Sequence, residues 1–564
     1  MKKHITRLLF AALLLLALCI GASAAGTSGK CGPSAYWSFD SSTGTLTISG
    51  SGAMNDYEYG DYPWMDYRDS IQTIVIGDQI TQIGRYAFTG TACSTIKFGK
   101  NVRSIGERAF LECRNLNGDL TLPDSVQTIG AGAFQGCEKL SGDLTIPDSV
   151  VEIGEGAFRD CKNLNGTLTL GKNLRTIGKE AFSGCAFTGS LTIPEGVTEI
   201  ADSAFGAGIP LKKYGMFTGT LTLPSTLKTI GASAFSYADF SGELLIPDGV
   251  TSIGANAFEE CDGFGGTLSL PDSVKTVGEW AFYLCKGFTG LKLSAGLTKI
   301  EKLSFAHMYG LKTEVVIPEG VTEIGESAFQ CSHMPSVRFP STLKKIGKEA
   351  FYFSLNCKIA FPDGLEVIED EAFALCNVKS AVILPASIKS IGKKAFDSDW
   401  SYGKHNDIPL GAYFLGAAPQ LVGTGNANCS FPSDWTLNYL PGTSGWMGDT
   451  YEGYKIVPWD GETRWDNLYT DDFGYRDNKW NKIETSWSVN TDTGKITLTD
   501  DLNEGCAVAV SYDADGRVTS IGVLRTKTDF VVLNLQDTCR LFLLNASSAP
   551  RLNTPVTIND YLPV

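Results

Sequence analysis

The sequence has very little histidine and no recognisable catalytic or metal-binding motif. Only 4 of its 564 residues are histidine. Three of them, His307, His333 and His405, lie in the second half of the chain, and their spacing is not typical of a metal site. The nucleophile-elbow, zinc-protease and phosphate-loop motifs are also absent. We therefore expect no enzymatic activity, no cofactor and no catalytic or metal-binding residues. An enzyme that acts on glycans through the C-terminal region is the alternative.

Positive charge and long apolar runs are scarce as well. Asp and Glu number 62 against 47 Lys and Arg, so the formal net charge is -15. Because an acidic surface repels phosphate backbones, no nucleic-acid partner is expected. The longest apolar run, residues 8–20, is too short to cross a bilayer comfortably. It follows a basic start and precedes Ala22-Ser23-Ala24, which predicts a signal peptide over residues 1–24. The alternative is an uncleaved anchor.

If the leader is removed, no integral membrane span is expected in the remaining chain. The predicted location is secreted and extracellular, and association with the cell surface stays open.

The chain is rich in one repeated pattern, Ile-Gly-x-x-Ala-Phe. It first occurs at residues 83–88 and last at residues 391–396. The repeat length is 22 to 24 residues, with one exception of 30. Fourteen phenylalanines mark the units: Phe88, Phe110, Phe134, Phe158, Phe182, Phe205, Phe235, Phe258, Phe282, Phe305, Phe329, Phe351, Phe373 and Phe396. Such a period predicts an array of stacked units.

Each unit combines a short alternating strand with a compact turn. In Leu144-Thr145-Ile146 the two apolar residues should point inward and the threonine outward. Pro147 ends the strand, and Val150 and Ile153 return apolar groups to the interior. Gly154 permits a tight turn, and the following Ala-Phe pair is predicted to form about one helical turn. No unit has enough apolar surface to be stable alone, so neighbouring units must stack.

On these residues, positions 71–398 resemble the BspA-like leucine-rich repeat family of bacterial cell-surface and secreted proteins. The resemblance covers about three-fifths of the chain. It implies a leucine-rich repeat solenoid, β-rich with short helical turns, parallel strands and right-handed coils. Residues 25–70 also resemble the segment that precedes such arrays and are predicted to be an N-terminal β-hairpin cap.

Two further regions follow the array. Residues 399–465 are predicted to form an aromatic-rich cap, since seven of the ten tryptophans lie between residues 400 and 487. Sugar or protein binding by these aromatic rings is the alternative. Residues 466–564 contain six alternating segments separated by turn residues. They are predicted to form a small antiparallel β-sandwich or barrel.

Cysteines recur within the repeat. Seven stand three residues after the marker phenylalanine: Cys113, Cys137, Cys161, Cys185, Cys261, Cys285 and Cys376. Equivalent positions in stacked units point the same way, which favours a ladder of free, buried thiols over disulfides. Export would permit disulfides, which stay open as the alternative. Cys506 and Cys539 are a possible pair in the last region.

The outward strand residues are the candidate binding residues, together with a loop in the 30-residue unit. They are Lys97, Thr121, Thr145, Thr169, Thr192, Thr222, Tyr214, Met216 and Phe217. The alternatives are that threonine simply suits strands and that the loop is tucked in. The predicted function is a binding or adhesion protein whose solenoid engages a protein or glycan of a host or neighbouring cell surface. A self-assembling structural surface protein is the second possibility.

Overall fold

The computed structural model describes residues 27–206, 216–354, 359–376, 382–397, 411–422, 430–432 and 435–459, together with the backbone of six strands between residues 487 and 544. The chain divides into two compact units, residues 1–311 and residues 312–564. Both contain coils, each of which is one sequence repeat. The coils stack through three ladders of backbone hydrogen bonds.

The front ladder of the first unit consists of the predicted alternating strands. Paired strands are parallel and in register, so that Leu144 lies opposite Leu168 and Leu191 opposite Leu221. The strands of this ladder are Thr45–Gly50, Thr73–Ile76, Thr95–Lys97, Leu144–Thr145, Leu168–Thr169, Leu191–Thr192, Leu221–Thr222, Gly242–Leu245, Phe264–Ser269 and Gly290–Lys292.

A back ladder of two-residue strands runs along the other side of each coil, where the sequence predicted only returning apolar residues. Its inner residue is the isoleucine of the Ile-Gly pair, and its outer residue is polar. The strands are Gly52–Ala53, Ile80–Ile83, Ser104–Ile105, Thr128–Ile129, Glu152–Ile153, Thr176–Ile177, Glu199–Ile200, Thr229–Ile230, Ser252–Ile253, Thr276–Val277 and Lys299–Ile300.

The glycine after that isoleucine is required by close packing between coils. A Cβ atom on Gly130 would lie 2.6 Å from the backbone nitrogen of Glu107 in the preceding coil. Gly154 is equally constrained, with Ala131 nitrogen at 2.5 Å. The predicted reason, a tight turn, is therefore wrong for these glycines, because neither has a positive φ.

The turn ladder contains the marker phenylalanine and is not helical. Within the described residues the coils contain no α-helix, and the single 3-10 helix, Met65–Tyr67, precedes them. The residue before Ala-Phe and the second residue after the phenylalanine take left-handed φ values, as Arg108 (51°) and Glu112 (55°) do. Every second N–H then points to the next coil: Arg108 donates to Ala131, and Phe110 to Ala133. The predicted helical turn is replaced by this inter-coil ladder.

The core of the first unit is a column of stacked phenylalanine rings. From Phe88 to Phe305 neighbouring ring centroids lie 5.1 to 5.7 Å apart, and the rings are nearly parallel. The leucine, isoleucine and valine side chains of the front and back ladders enclose this column and are buried. The prediction of stacked units, with one marker phenylalanine and its apolar neighbours buried in each, is confirmed.

An N-terminal hairpin precedes the first coil. Strand Ala35–Asp40 pairs antiparallel with Ser28–Lys30 and with Thr45–Gly50, and the latter continues into the front ladder. Trp64 stacks on Phe88 with centroids 5.4 Å apart, and its indole N–H donates to the Ala87 carbonyl. The Tyr62 hydroxyl donates to the Thr89 carbonyl. Donors from this segment thus satisfy carbonyls that no preceding coil could reach.

The second unit repeats the three ladders. Its phenylalanine column runs from Phe329 to Phe396 and continues to Phe431, whose ring lies 5.2 Å from that of Phe396. The coils therefore extend beyond the predicted boundary at residue 398. Front strands are Val315–Val316, Val337–Arg338, Val382–Leu384, Gly411–Phe414, Thr436–Tyr439 and Tyr454–Pro458, with Thr450–Tyr451 pairing antiparallel to the last. Back strands are Glu323–Ile324, Lys345–Ile346, Val367–Ile368, Ser390–Ile391 and Gln420–Leu421.

The C-terminal region contains the six predicted strands, arranged as two three-stranded antiparallel sheets. They are Trp487–Asn490, Lys495–Leu498, Cys506–Tyr512, Val518–Leu524, Phe530–Val532 and Thr538–Leu544. Cys539 lies opposite Ser511, five residues along the strand from Cys506. That offset is about 17 Å, whereas a disulfide needs Cα atoms within about 7 Å. The suggested Cys506–Cys539 pair is therefore wrong.

Candidate functional site: the front face

A row of exposed side chains runs along the front ladder of the first unit. It contains one residue per coil, each between two inward apolar residues. Leu144 and Ile146 are at most 1% exposed, whereas Thr145 between them is exposed. Thr145 lies opposite Thr169, and Thr192 opposite Thr222. We call the exposed set the front row; it consists of Lys97, Thr121, Thr145, Thr169, Thr192 and Thr222.

The threonine hydroxyls of the front row make no hydrogen bond to any described residue, whereas their polar neighbours do. Asp143 accepts hydrogen bonds from the backbone N–H and hydroxyl of Thr167 in the next coil. Glu195 accepts the same pair from Ser225. The side chains beside the row therefore tie coils together, and the row itself keeps its hydrogen-bonding capacity for solvent or a ligand.

The same contacts explain the acidity of the flanking carboxyl groups. Backbone and side-chain hydrogen bonds from Thr167 lower the pKa of Asp143, and those from Ser225 lower the pKa of Glu195. Because ionised carboxylates that bridge coils are structural, they are poor candidates for an acid–base pair.

The outward positions that follow the front row in the first unit are less polar. They are Leu245, which is 72% exposed, Ser269 and Lys292. In the second unit, the outward positions of the front strands include Val316, which is 45% exposed and lies opposite Arg338.

At the end of the second unit an outward position of the front strands is covered by the chain itself. Tyr413 occupies an outward register position opposite Ile383 but is only 2% exposed. Trp459 packs against its ring at a centroid distance of 5.4 Å. Leu415 and Leu440 complete this small cluster. Part of the predicted aromatic cap therefore closes over the front face.

The predicted contact loop of the 30-residue unit is not a surface feature at Met216 and Phe217. Both side chains are buried, and Phe217 stacks on Phe240 at 5.2 Å and contacts Phe187. Phe217 belongs to a second aromatic column in the core and Met216 is buried, so neither residue is exposed for binding as the prediction required. Tyr214 lies outside the described residues. The sequence itself indicates this burial. Phe217-Thr-Gly repeats the tripeptide Phe187-Thr-Gly, and each tripeptide directly precedes a front strand.

The repeated cysteines are free thiols in the described coils. Each donates to the phenylalanine carbonyl of the preceding coil; Cys137 lies 3.2 Å from the Phe110 oxygen, and Cys161 lies 3.1 Å from the Phe134 oxygen. Burial raises the pKa of both thiols. The structure thus supports the thiol ladder and gives it a role in joining coils.

Among the described residues no group of three or more His, Cys, Asp or Glu side chains is placed to hold a metal ion. No helix there is long and apolar enough to cross a membrane.

Parallel strands stacked coil on coil around a phenylalanine column define a leucine-rich repeat solenoid. The sequence matches the BspA type leucine rich repeat region in overlapping segments that run from residue 62 to residue 402. The matched segments cover more than half of the chain, which belongs to this family. No curated protein sequence matches it.

Several solved structures are similar. A leucine-rich repeat protein from Bacteroides ovatus shares 25% identity, with 67% of this chain and 93% of that chain covered and a TM-score of 0.42. One from Eubacterium ventriosum shares 22% identity over 67% and 97% of the two chains, with a TM-score of 0.39. A leucine rich cell surface protein from Faecalibacterium prausnitzii shares 23% identity over 58% and 93%, with a TM-score of 0.34.

Proposed function

We propose that this chain is an exported bacterial binding protein, displayed at the cell surface or released. Its front row engages a protein or glycan of a host or neighbouring cell. The observation that carries the proposal is the contrast on the front face: the threonine hydroxyls are exposed and unused, while the polar residues beside them are engaged in coil-to-coil bonds. Membership of the leucine-rich repeat family supports an interaction scaffold.

The geometry of the front row suits an extended ligand. Adjacent coils place equivalent residues about 4.8 Å apart, the spacing of hydrogen-bonded strands. Five successive threonines therefore present donors and acceptors at a regular interval along one face. The buried leucines on either side of these threonines fix the backbone of the strands. Binding of a ligand therefore costs little conformational entropy in this surface.

Binding of the purified chain to immobilised matrix proteins and mammalian cell-surface glycans tests the proposal. Thr145→Glu combined with Thr192→Glu places two carboxylates on the front row in non-adjacent coils. We expect this variant to lose binding. Thr276→Glu is the matched control, because it puts the same change at an exposed threonine of the back ladder. Equal binding by all three proteins would contradict a front-row site.

Self-assembly is the second candidate function, favoured by Leu245, which is exposed on the front strand Gly242–Leu245. Light scattering of the same preparations separates the two. Concentration-dependent oligomers that disappear in Leu245→Ser, together with no ligand in the binding screen, would establish assembly instead of adhesion.

A further inference from the structure

Four aromatic side chains lie together on the turn ladder near the end of the first unit. We call Trp280, Tyr283, His307 and Tyr309 the aromatic platform. Their rings meet edge to face, with centroid distances of 4.6 Å from Trp280 to Tyr283, 5.1 Å from Tyr283 to His307 and 5.5 Å from His307 to Tyr309. His307 Nδ1 and the Tyr309 hydroxyl are 2.6 Å apart and share a hydrogen bond. Each ring therefore holds the next in place.

The platform is open to solvent although its rings are large. Tyr309 is 41% exposed, and the other three side chains are half-buried. The rings lie on the turn ladder, whereas the front row lies on the front ladder of the coils. The platform is therefore a separate surface from the candidate site described above.

The repeat does not need aromatic rings at these positions. The position of Trp280 is occupied by Gly132 and Glu180 in other coils, and that of His307 by Glu260. Left-handed φ values are the rule at both positions, as in Trp280 (62°) and His307 (61°), and glycine, polar and charged residues all adopt them there. The coil therefore does not require an aromatic ring at either position, and folding alone does not account for the rings.

The chemistry around the platform fits a hydroxyl-rich, uncharged ligand. Glu279 is exposed beside Trp280, and Glu259 in the preceding coil accepts hydrogen bonds from Tyr237 and Asn256. Centres of protein–protein interfaces are depleted in charged residues, whereas this surface mixes carboxylates with rings. Aromatic faces pack against the C–H surface of a sugar ring, and their polar edges and the carboxylates can bond its hydroxyls. Lys302, whose carbonyl accepts the Trp280 N–H, occupies the position of Glu279 in the next coil, so charges of both signs lie beside the rings and favour neither an anionic nor a cationic polymer.

We propose that the aromatic platform is a binding site for a neutral polysaccharide. Partly exposed rings from adjacent coils suit a chain that passes across the coils and is contacted through a few sugar units. The site would give this protein a second point of attachment, independent of the front row.

Affinity gel electrophoresis of the whole exported chain tests this inference. The gels contain mixed-linkage β-glucan, arabinoxylan or galactomannan, and polygalacturonate serves as the anionic polymer. We expect at least one neutral polymer to retard the protein, and polygalacturonate to have no effect. Trp280→Ala and Tyr309→Ala should each weaken retardation about tenfold or more, as truncation of an aromatic contact residue does.

Two controls keep the result specific. Tyr86→Ala changes an aromatic residue at the Trp280 position of the first coil and should leave retardation intact. Circular dichroism melts verify that the variants fold, and the exposed Tyr309→Ala is the variant least able to disturb packing. The inference is overturned if no neutral polymer retards the protein, if retardation survives both platform substitutions, or if only polygalacturonate binds. Loss of the front-row ligand in Thr145→Glu/Thr192→Glu with retardation unchanged would separate the two sites.

Discussion

The first coil depends on hydrogen-bond donors from the N-terminal segment, and this dependence can be measured. The Ala87 carbonyl accepts the indole N–H of Trp64 at 2.9 Å, and the Thr89 carbonyl accepts the Tyr62 hydroxyl at 2.6 Å. Trp64→Phe keeps a ring that can stack on Phe88 but removes the first donor. Tyr62→Phe removes only the oxygen of the second.

The expected magnitude follows from burial. Trp64 is fully buried and Tyr62 is 3% exposed, so water cannot replace either donor without opening the coil. A buried acceptor left without a partner costs about 1–3 kcal/mol. Tyr62→Phe should therefore lower the free energy of unfolding by about 1–3 kcal/mol. Trp64→Phe should lower it further, by about 1 kcal/mol, because the smaller ring also buries less apolar area.

Urea unfolding followed by circular dichroism measures the loss, and hydrogen exchange with mass spectrometry locates it. We expect faster exchange in residues 73–97 and unchanged exchange in residues 150–200, since each coil contacts only its neighbours. Tyr36→Phe is the control, because it removes the hydroxyl of an exposed tyrosine in the N-terminal hairpin. Equal losses in Tyr36→Phe and Tyr62→Phe, or unaltered exchange in the first coils, would refute the reasoning.

Three further predictions concern the coil interior and its acidic links. Phe158→Ala should lower the free energy of unfolding by about 3–5 kcal/mol and Phe158→Leu by less, as measured by urea titration; equal losses would argue against a cavity. Cys161→Ala should destabilise more than Cys161→Ser, because serine keeps a donor for the Phe134 carbonyl. The Cys161 thiol should resist alkylation until the chain is unfolded; labelling of the native protein would contradict this. The lowered pKa of Asp143 and Asp148 means that their contribution to stability is complete above pH 5 and is lost as the pH falls below about 4. Asp143→Asn should flatten part of that acid dependence in melts between pH 3 and 6.

Much of the fold could be predicted because the repeat fixes which side chains are inside. The spacing from Ile153 to Phe158 and the alternation around Thr145 each reflect which side chains are buried. Buried apolar residues recur at fixed positions of the repeat, so the sequence shows them directly. The back ladder could not be predicted, because a two-residue strand such as Glu152–Ile153 has no alternation to detect. The turn ladder was missed for another reason. Its left-handed residues are stabilised by hydrogen bonds to the next coil, and the conformational preferences of the local sequence give no information about these bonds.

The candidate site was predicted only in part. Exposure of the front-row threonines follows from strand alternation alone. The use of Asp143 and Glu195 as links between coils depends on residues about one repeat away and is not visible locally. Phe217 was misassigned because an insertion was expected to protrude as a whole, although its last residues resume the repeat.

The turn ladder also determines how such a chain can change in length. In the turn ladder of the first unit, the carbonyls of a coil accept hydrogen bonds from the preceding coil, and its N–H groups donate to the following coil. A coil within this unit can therefore be duplicated or deleted without leaving a donor or acceptor of the turn ladder unpaired, provided that the junction keeps the frame. The first coil differs from these coils, since its carbonyls need the specific donors of Trp64 and Tyr62. The number of coils in this unit can thus vary, while the segment that carries these two donors must stay as it is.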